Sequence, residues 1–262
     1  DQLLKAVAMF RASPRRTACL QARLNFYNAH ANWLTRMFAL DYALWFDVLL
    51  PGLERIHAPI PLGGTSNHFR TTVLRDVGGW DAFNVTEDAD IGIRLSQAGY
   101  CVSILDSTTY EEAPAALGPW LRQRSRWLKG HIQTWLVHMR DPVRLARRTG
   151  LGGFIAFQLF LGGGVVFALV NPLLWAAYLA GLWWHTASLL PGDSLLLNNI
   201  LFTYLAMIGP RRRGWNDLAP YGLTVVAYWA MVSLAGYRGA CQLVTRPFYW
   251  EKTMHGAGAP PP

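Results

Sequence analysis

The spacing of apolar and polar residues divides the chain into a first part with short, mixed elements and a second part with long apolar stretches. Residues 2 to 10 have helical periodicity, and Ala18 to Leu24 alternates as a strand does. Residues 25 to 50 form a longer helical stretch, rich in aromatic side chains, that is predicted to stop at Pro51-Gly52. This stretch fits either a core helix or a helix lying at a membrane interface.

Polar turns and glycines mark the next elements. Thr65 to Phe69 predicts a polar turn with a strand, and residues 71 to 76 predict a short helix. Thr86 is placed to cap a further helix that Gly99 ends. A strand over residues 100 to 105 follows, so strands alternate with helices as in an α/β layer.

The second part carries the membrane signal. Residues 151 to 190 contain no Asp, Glu, Lys or Arg, and a helix needs only about 20 apolar residues to cross a bilayer. The stretch fits two crossings, or one crossing with an interfacial or re-entrant segment broken at Asn171-Pro172. Basic residues mark the cytoplasmic side, and their placement favours one crossing within 151–190, a return through 195–210 and an interfacial or re-entrant 218–236.

Composition agrees with a membrane protein. Hydrophobic residues make up 52% of the 262 residues and charged residues 15%, against roughly 25% charged in soluble domains. The net charge of +8 comes from Arg and Lys clusters that flank the apolar stretches, so we expect a lipid bilayer as partner and no nucleic acid. The three cysteines are widely spaced and indicate neither a disulfide framework nor a zinc site.

Thr86-Glu87-Asp88 is the first cluster that can carry chemistry. Carboxylates in the first turn of a helix interact favourably with the helix dipole, so capping alone can explain them. The functional interpretation is that one carboxylate stays ionised in a cleft and removes the proton from an attacking sugar hydroxyl. The cluster by itself leaves both interpretations open.

The second cluster, Gln123-Arg124-Ser125-Arg126-Trp127, lies on a helix predicted to open at Pro119 and to continue to about Met139. Gln123 and Trp127 are four residues apart and share one helical face. A Trp ring packs against a pyranose, and an Arg guanidinium offers paired donors to a diphosphate. The alternative is an amphipathic helix with Trp in the core and basic residues on lipid headgroups.

In this order, just ahead of apolar spans, the two clusters resemble motifs of the membrane-integrated family 2 glycosyltransferases, the group of cellulose synthase, hyaluronan synthase and related bacterial polysaccharide synthases. The resemblance implies that Thr86-Glu87-Asp88 is the TED motif, with Asp88 as the general base. It also implies that the second cluster is the Q(Q/R)xRW motif, which binds the acceptor end and the donor diphosphate through Gln123, Arg124, Arg126 and Trp127.

The polar and aromatic stretch after the last apolar segment looks like the gating loop of that family. On this resemblance Lys252 and Thr253 would close over the nucleotide. The alternative is a frayed tail with one aromatic anchor.

The resemblance further implies an α/β plus membrane α-helical fold, in which the chain is the C-terminal half of a GT-A-type domain followed by transmembrane and interfacial helices. We expect a partial catalytic domain over 1–149, a transmembrane and interfacial region over 150–238 and a cytoplasmic, gating-loop-like tail over 239–262. A Mg or Mn ion is expected in the full-length enzyme. Its ligands would lie upstream of residue 1, so no metal ligand is assigned in this chain.

The implied function is that of a processive, inverting β-glycosyltransferase in the bacterial inner membrane, multi-pass and with its catalytic part in the cytoplasm. It would transfer a hexose from a UDP-sugar donor to a growing glycan acceptor, with a polysaccharide-export subunit as a further partner. The chain by itself is expected to be inactive. Two alternatives are a non-processive lipid-linked sugar transferase and a non-catalytic membrane receptor or assembly subunit with a degenerate transferase fold.

Overall fold

The computed structural model describes residues 1–184 and 189–251. In chain order, the elements up to the last strand are α1 (Gln2–Ala12), β1 (Thr17–Phe26), α2 (Trp33–Leu44), a π-helical turn (Trp45–Leu49), α3 (Leu50–Arg55), β2 (Asn67–Phe69), α4 (Thr71–Asp76), α5 (Glu87–Gln97) and β3 (Cys101–Glu111). They are followed by α6 (Leu117–His138), α7 (Pro142–Phe157), a second π-helical turn (Gln158–Gly162), α8 (Gly163–Trp183), α9 (Leu189–Arg212), a 3-10 helix (Ala219–Thr224) and α10 (Val225–Thr245).

The strands form one mixed sheet in the order β2-β1-β3. The central strand β1 pairs parallel with β3, from Thr17 opposite Cys101 to Phe26 opposite Glu111, and antiparallel with β2. All residues of β1 except Arg23 are buried, as expected for a strand covered on both faces. The sheet and the helices around it confirm the predicted α/β layer, and each predicted strand of the first part is present.

The predicted helix over 25–50 is wrong at its start. Strand β1 continues to Phe26, and α2 begins only at Trp33. The Asn32 side chain accepts a hydrogen bond from the Thr35 N–H, and the Thr35 hydroxyl accepts one from the Asn32 N–H. This reciprocal pair is a capping box, which fixes the helix start.

The prediction that this helix stops at Pro51-Gly52 is also wrong, because the helical path continues to Arg55. In the π-helical turn the Leu50 N–H donates to the Trp45 carbonyl, five residues earlier. A proline clashes with the carbonyl four residues before it in a regular α-helix. The wider turn just ahead of Pro51 relieves this clash, so the chain passes through it.

Helix α6 joins the sheet part to the apolar helices. Its Trp120 is fully buried in a cluster with Phe38 of α2 and Tyr228 of α10. The backbones of α6 and α10 approach closely at Gly239, where an added Cβ would lie 2.7 Å from the Ser125 carbonyl oxygen. A larger residue would separate the two helices, so the site residues on α6 are positioned partly by α10.

Among the described residues, two helical stretches are long and apolar enough to cross a membrane, Pro142–Trp183 and Ala219–Thr245. The first does not break at Asn171-Pro172. Its backbone leaves helical φ/ψ values at Gly150, with φ 75° and ψ 165°, and it widens into the π-helical turn at Gln158–Gly162. The expected return through 195–210 is not among these stretches, whereas the segment 218–236, expected to be interfacial, is part of the second.

The basic cluster after α9 contacts the first part of the chain. Arg213 forms an ion pair with the buried Asp47, and Arg212 donates to the Asp47 carbonyl oxygen over 3.1 Å. These contacts fasten the end of α9 to the π-helical turn after α2. Part of the positive charge that we assigned to lipid contact therefore stabilises the fold.

Candidate active site

Asp88 lies in the first turn of α5, beside the glycine turn that precedes β2. An added Cβ at Gly64 would lie 3.1 Å from the Asp88 Oδ2 atom, so glycine leaves the space beside this oxygen free. Burial raises the pKa of Asp88 to about 6, and the Glu87 charge raises it further while the Arg126 charge lowers it. A carboxylate with this pKa is still largely ionised at neutral pH, and it accepts protons better than an exposed aspartate.

Residues 83–86, which we call the base loop, carry Asp88 into α5 and are fastened to α6. The Asn84 amide donates to the Thr134 hydroxyl over 2.8 Å, and the Val85 N–H donates to the Gln133 Oε1 atom over 3.3 Å. The Thr86 side chain packs directly on Gly130, where any Cβ would overlap it. Apart from Thr86, the residues that hold the two predicted clusters together lie outside both of them.

A second set of contacts joins α5 to the end of α6. Asp90 accepts hydrogen bonds from Arg94 at 2.6 Å and from His138 at 2.9 Å. Burial would raise the pKa of Asp90, but these hydrogen bonds outweigh it and hold the pKa below its usual range. The sequence prediction missed Asp90 and His138, although an acid two residues after Asp88 on a buried helix face was a usable signal.

Gln123 and Arg126 offer unused polar atoms on α6. Gln123 is 8% exposed, and its Oε1 atom has no hydrogen-bond partner within the described residues. The Arg126 Nε atom is likewise buried without a partner there. Its guanidinium lies 4.4 Å from the centre of the Trp250 ring. Buried polar atoms are normally paired, so both side chains have capacity left for a ligand.

Arg124 lies in a different environment from Arg126. Its Nη2 atom donates to Asp41 Oδ2 and to the Tyr228 hydroxyl, both at 2.6 Å. The guanidinium also lies over the rings of four neighbours, Phe38, Trp120, Trp127 and Tyr228. This cage ties α6 to α2 and α10. The assignment of Arg124 to the diphosphate stays a prediction, and the geometry favours a structural role.

Trp127 is half-buried against α2. Its ring lies 5.7 Å from the Phe38 ring and 6.1 Å from the Tyr42 ring. These contacts fix the plane of the indole, and the part left exposed can offer an apolar surface to a sugar ring. The role of Trp127 in acceptor binding stays a prediction.

The turn before β2 is pinned to the central strand and to the end of β3. The Gln21 side chain accepts from the Gly63 N–H and donates to the Thr65 carbonyl. The Thr65 hydroxyl donates to Glu111. A second carboxylate, that of Glu111, therefore contacts the residue that follows Gly64. The Glu111 charge also raises the pKa of Tyr42, after the larger effect of burial, so this side of the site is acidic.

Within the described residues, no three His, Cys, Asp or Glu side chains come together as a metal site. The residues present do not fit a metal ion, so no step here is assigned to one. Lys252 and Thr253, the predicted gating-loop residues, lie outside the described residues.

Comparison with known proteins gives a family match and several relatives. Residues 1–235 match the model of glycosyl transferase family group 2. Beta-monoglucosyldiacylglycerol synthase of Synechocystis sp. is 29% identical over 97% of this chain and 54% of its own length. Probable glucomannan 4-beta-mannosyltransferase 7 of Oryza sativa subsp. japonica is 30% identical over 49% of this chain and 22% of its own length.

A bacterial relative, probable glycosyltransferase YdaM of Bacillus subtilis, is 32% identical over 51% of this chain and 31% of its own length. The matched regions thus span between 22% and 54% of these three relatives. The family match covers both clusters and most of the apolar part. The chain therefore belongs to glycosyl transferase family group 2.

Proposed function

We propose that the full-length protein transfers a hexose with inversion from a UDP-sugar to an acceptor hydroxyl at the cytoplasmic face of a bacterial plasma membrane. The observation that carries this proposal is the joint position of Asp88 and α6. The partly buried Asp88 carboxylate, with its raised pKa, lies within the electrostatic reach of Arg126. Helix α6 also presents the Gln123 amide oxygen, which has no hydrogen-bond partner within the described residues.

In the proposed reaction, the acceptor oxygen attacks the anomeric carbon on the face opposite the nucleotide. Its proton passes to Asp88 as the new C–O bond forms. The bond from the anomeric carbon to the diphosphate breaks, and the electron pair leaves with UDP. The Arg126 guanidinium offsets the charge that develops on the leaving oxygen.

A growing β-glycan is the first candidate acceptor. The exposed part of Trp127 and the unpaired Gln123 oxygen lie on the helix that would hold the terminal sugar. The relative named as a glucomannan mannosyltransferase matches about half of the chain, which supports polymer synthesis. On this proposal the polymer leaves across the membrane, with an export subunit as partner, and the full-length enzyme holds a Mg or Mn ion with residues other than the described ones.

A lipid acceptor is the second candidate, favoured by one specific observation. The relative named as a monoglucosyldiacylglycerol synthase matches 97% of the chain, including the apolar helices. On this alternative the apolar helices beside α6 would present the hydroxyl of a membrane lipid to Asp88, and one sugar would be transferred.

Product analysis tests the proposal and separates the two acceptors. Membranes containing the full-length protein are incubated with radiolabelled UDP-glucose and a panel of other sugar nucleotides, and the products are divided into organic-soluble lipid and insoluble or high-mass polymer. Label in a long glycan supports the first candidate, and label in a single glycolipid supports the second. Label in neither fraction, with sugar nucleotide left intact across the panel, would contradict a transferase activity.

A further inference from the structure

One face of α6 holds the residues that follow α10. We call residues 246–251 the post-α10 segment. The Lys129 ammonium donates to the Tyr249 carbonyl over 2.6 Å, and the Gln133 amide donates to the Pro247 carbonyl over 2.9 Å. Arg126 lies three residues before Lys129 and stacks on Trp250. Residues three and four apart share one helical face, so these three side chains form a continuous seat.

The ammonium of Lys129 is buried between α6 and the post-α10 segment. It is 0% exposed, and burial lowers its pKa while the Glu251 charge raises it. A buried ammonium without partners is strongly unfavourable. Its partners here are carbonyl oxygens of the post-α10 segment, at Tyr249 and, over 3.3 Å, at Arg246. The position of the segment is therefore tied to the solvation of this charge.

Gln133 contacts both the post-α10 segment and the base loop. Its amide NH₂ group donates to the segment, while its Oε1 atom accepts from the Val85 N–H. The post-α10 segment and the base loop also contact each other directly, because the Phe83 and Phe248 rings pack edge to face with their centres 5.8 Å apart. A shift of the segment thus disturbs the Gln133 side chain and the aromatic contact at once, and both fasten the loop that leads into Asp88.

We propose that Lys129 and Gln133 are positioning residues that couple the seat of the post-α10 segment to the base loop. When the segment is seated, the base loop is held on α6 and Asp88 keeps its buried position. When the segment leaves, the base loop loosens with it. The consequence for catalysis rests on the proposed function, whereas the coupling itself does not.

Hydrogen exchange of the full-length protein in nanodiscs tests the coupling. Lys129→Met removes the ammonium that holds the segment. The hydrogen bonds of this ammonium go to Arg246 and Tyr249 and not to the base loop. We expect exchange to rise at least about fivefold in residues 246–251 and also in residues 84–86, with the centre of α5 unchanged. Lys5→Met, an exposed lysine on α1, is the matched control and leaves both regions at the wild-type rate.

Two exchange results would overturn the proposal. One is faster exchange in residues 246–251 with residues 84–86 unchanged, which would mean that no coupling exists. The other is a uniform rise across the protein, which would mean that Lys129 only stabilises the fold. Gln133→Glu is a second variant, because it keeps an acceptor for the Val85 N–H but loses the donor to the Pro247 carbonyl. We expect faster exchange in residues 246–251 of this variant too.

Kinetics then connect the coupling to the reaction. In Lys129→Met we expect kcat to fall about fivefold or more and the acid limb of the pH profile to move to lower pH, because the freed loop exposes Asp88 to water. A loss of folded protein alone would lower the rate without moving this limb. If the exchange result holds in a protein that transfers no sugar, the coupling stands and the proposed function fails.

Discussion

The Arg124 guanidinium binds the Asp41 carboxylate at 2.6 Å, inside a cage of aromatic rings between α2, α6 and α10. Arg126, two residues later, stacks on Trp250, and its charge lowers the pKa of Asp88. Neighbouring arginines of one cluster thus point to different parts of the molecule. One holds three helices together, and the other is available to a ligand.

This division predicts different effects for the two arginines. Arg124→Gln leaves the partly buried Asp41 carboxylate without its partner. Loss of a hydrogen bond to a charged group typically costs about 1.5–3 kcal/mol, so we expect a clear fall in the melting temperature of the full-length protein. Asp41→Asn in the same background recovers part of this loss, since the unpaired charge is removed. A melting temperature close to that of the wild type for Arg124→Gln would contradict the structural role.

Arg126→Gln is expected to act on the ligand. Loss of a charged hydrogen bond costs about 1.5–3 kcal/mol, which corresponds to at least a tenfold weaker affinity for UDP in a titration of the full-length protein. The melting temperature without UDP should fall only slightly, because the contact that Arg126 loses is its stacking on Trp250, which is worth about 0.5–1 kcal/mol at an exposed site. Unchanged UDP affinity would remove Arg126 from the diphosphate site.

Gly130→Ala tests the contact between the base loop and α6. The new methyl group overlaps the Thr86 side chain, and overpacking of this kind costs roughly 1–3 kcal/mol. We expect a lower melting temperature together with a loss of transfer activity larger than the loss of folded protein. Gly152→Ala is the matched control, because nothing lies within 4 Å of a Cβ at that helical position. Equal behaviour of the two variants would contradict the close packing of Thr86 on α6.

The raised pKa of Asp88 predicts a pH dependence of stability. The folded state holds this proton up to about pH 6, whereas the unfolded chain releases it near the ordinary value of 3.8. The protonated Asp88 therefore contributes stability that is fully present below pH 3.8 and is lost as the pH rises through about 6. Asp88→Asn lacks this loss, so its melting temperature relative to the wild type should increase between about pH 4 and pH 7. A difference that is constant with pH would contradict the burial of an ionisable Asp88.

Local signals were sufficient to predict much of this architecture. Helix α5 begins after Thr86 and ends ahead of Gly99, as the sequence indicated, although the Thr86 side chain makes no capping hydrogen bond. The four-residue spacing of Gln123 and Trp127 placed both on one face of α6. The start of α2 was missed because the capping box at Asn32 lies inside an aromatic stretch whose periodicity looked helical throughout.

The features that could not be predicted from the sequence depend on contacts between residues far apart in the chain. Asp41 and Arg124 are 83 positions apart, and Val85 and Gln133 are 48 apart. Nothing near Gln133 in the chain indicates that its side chain serves two segments at once. The passage of the helix through Pro51 also depends on a π-helical turn, which has no strong sequence signal.

The most direct test of the account is the transfer rate of Asp88→Asn in the full-length enzyme, measured in a single turnover with saturating labelled donor. Asparagine has nearly the same shape but cannot take the proton, so we predict a fall of about 10²–10⁴-fold, with UDP affinity within about twofold of the wild type because the diphosphate contacts remain. Asp76→Asn, at an exposed acid at the end of α4, should transfer at the wild-type rate. Transfer by Asp88→Asn at the wild-type rate would contradict the assignment of Asp88 as the general base.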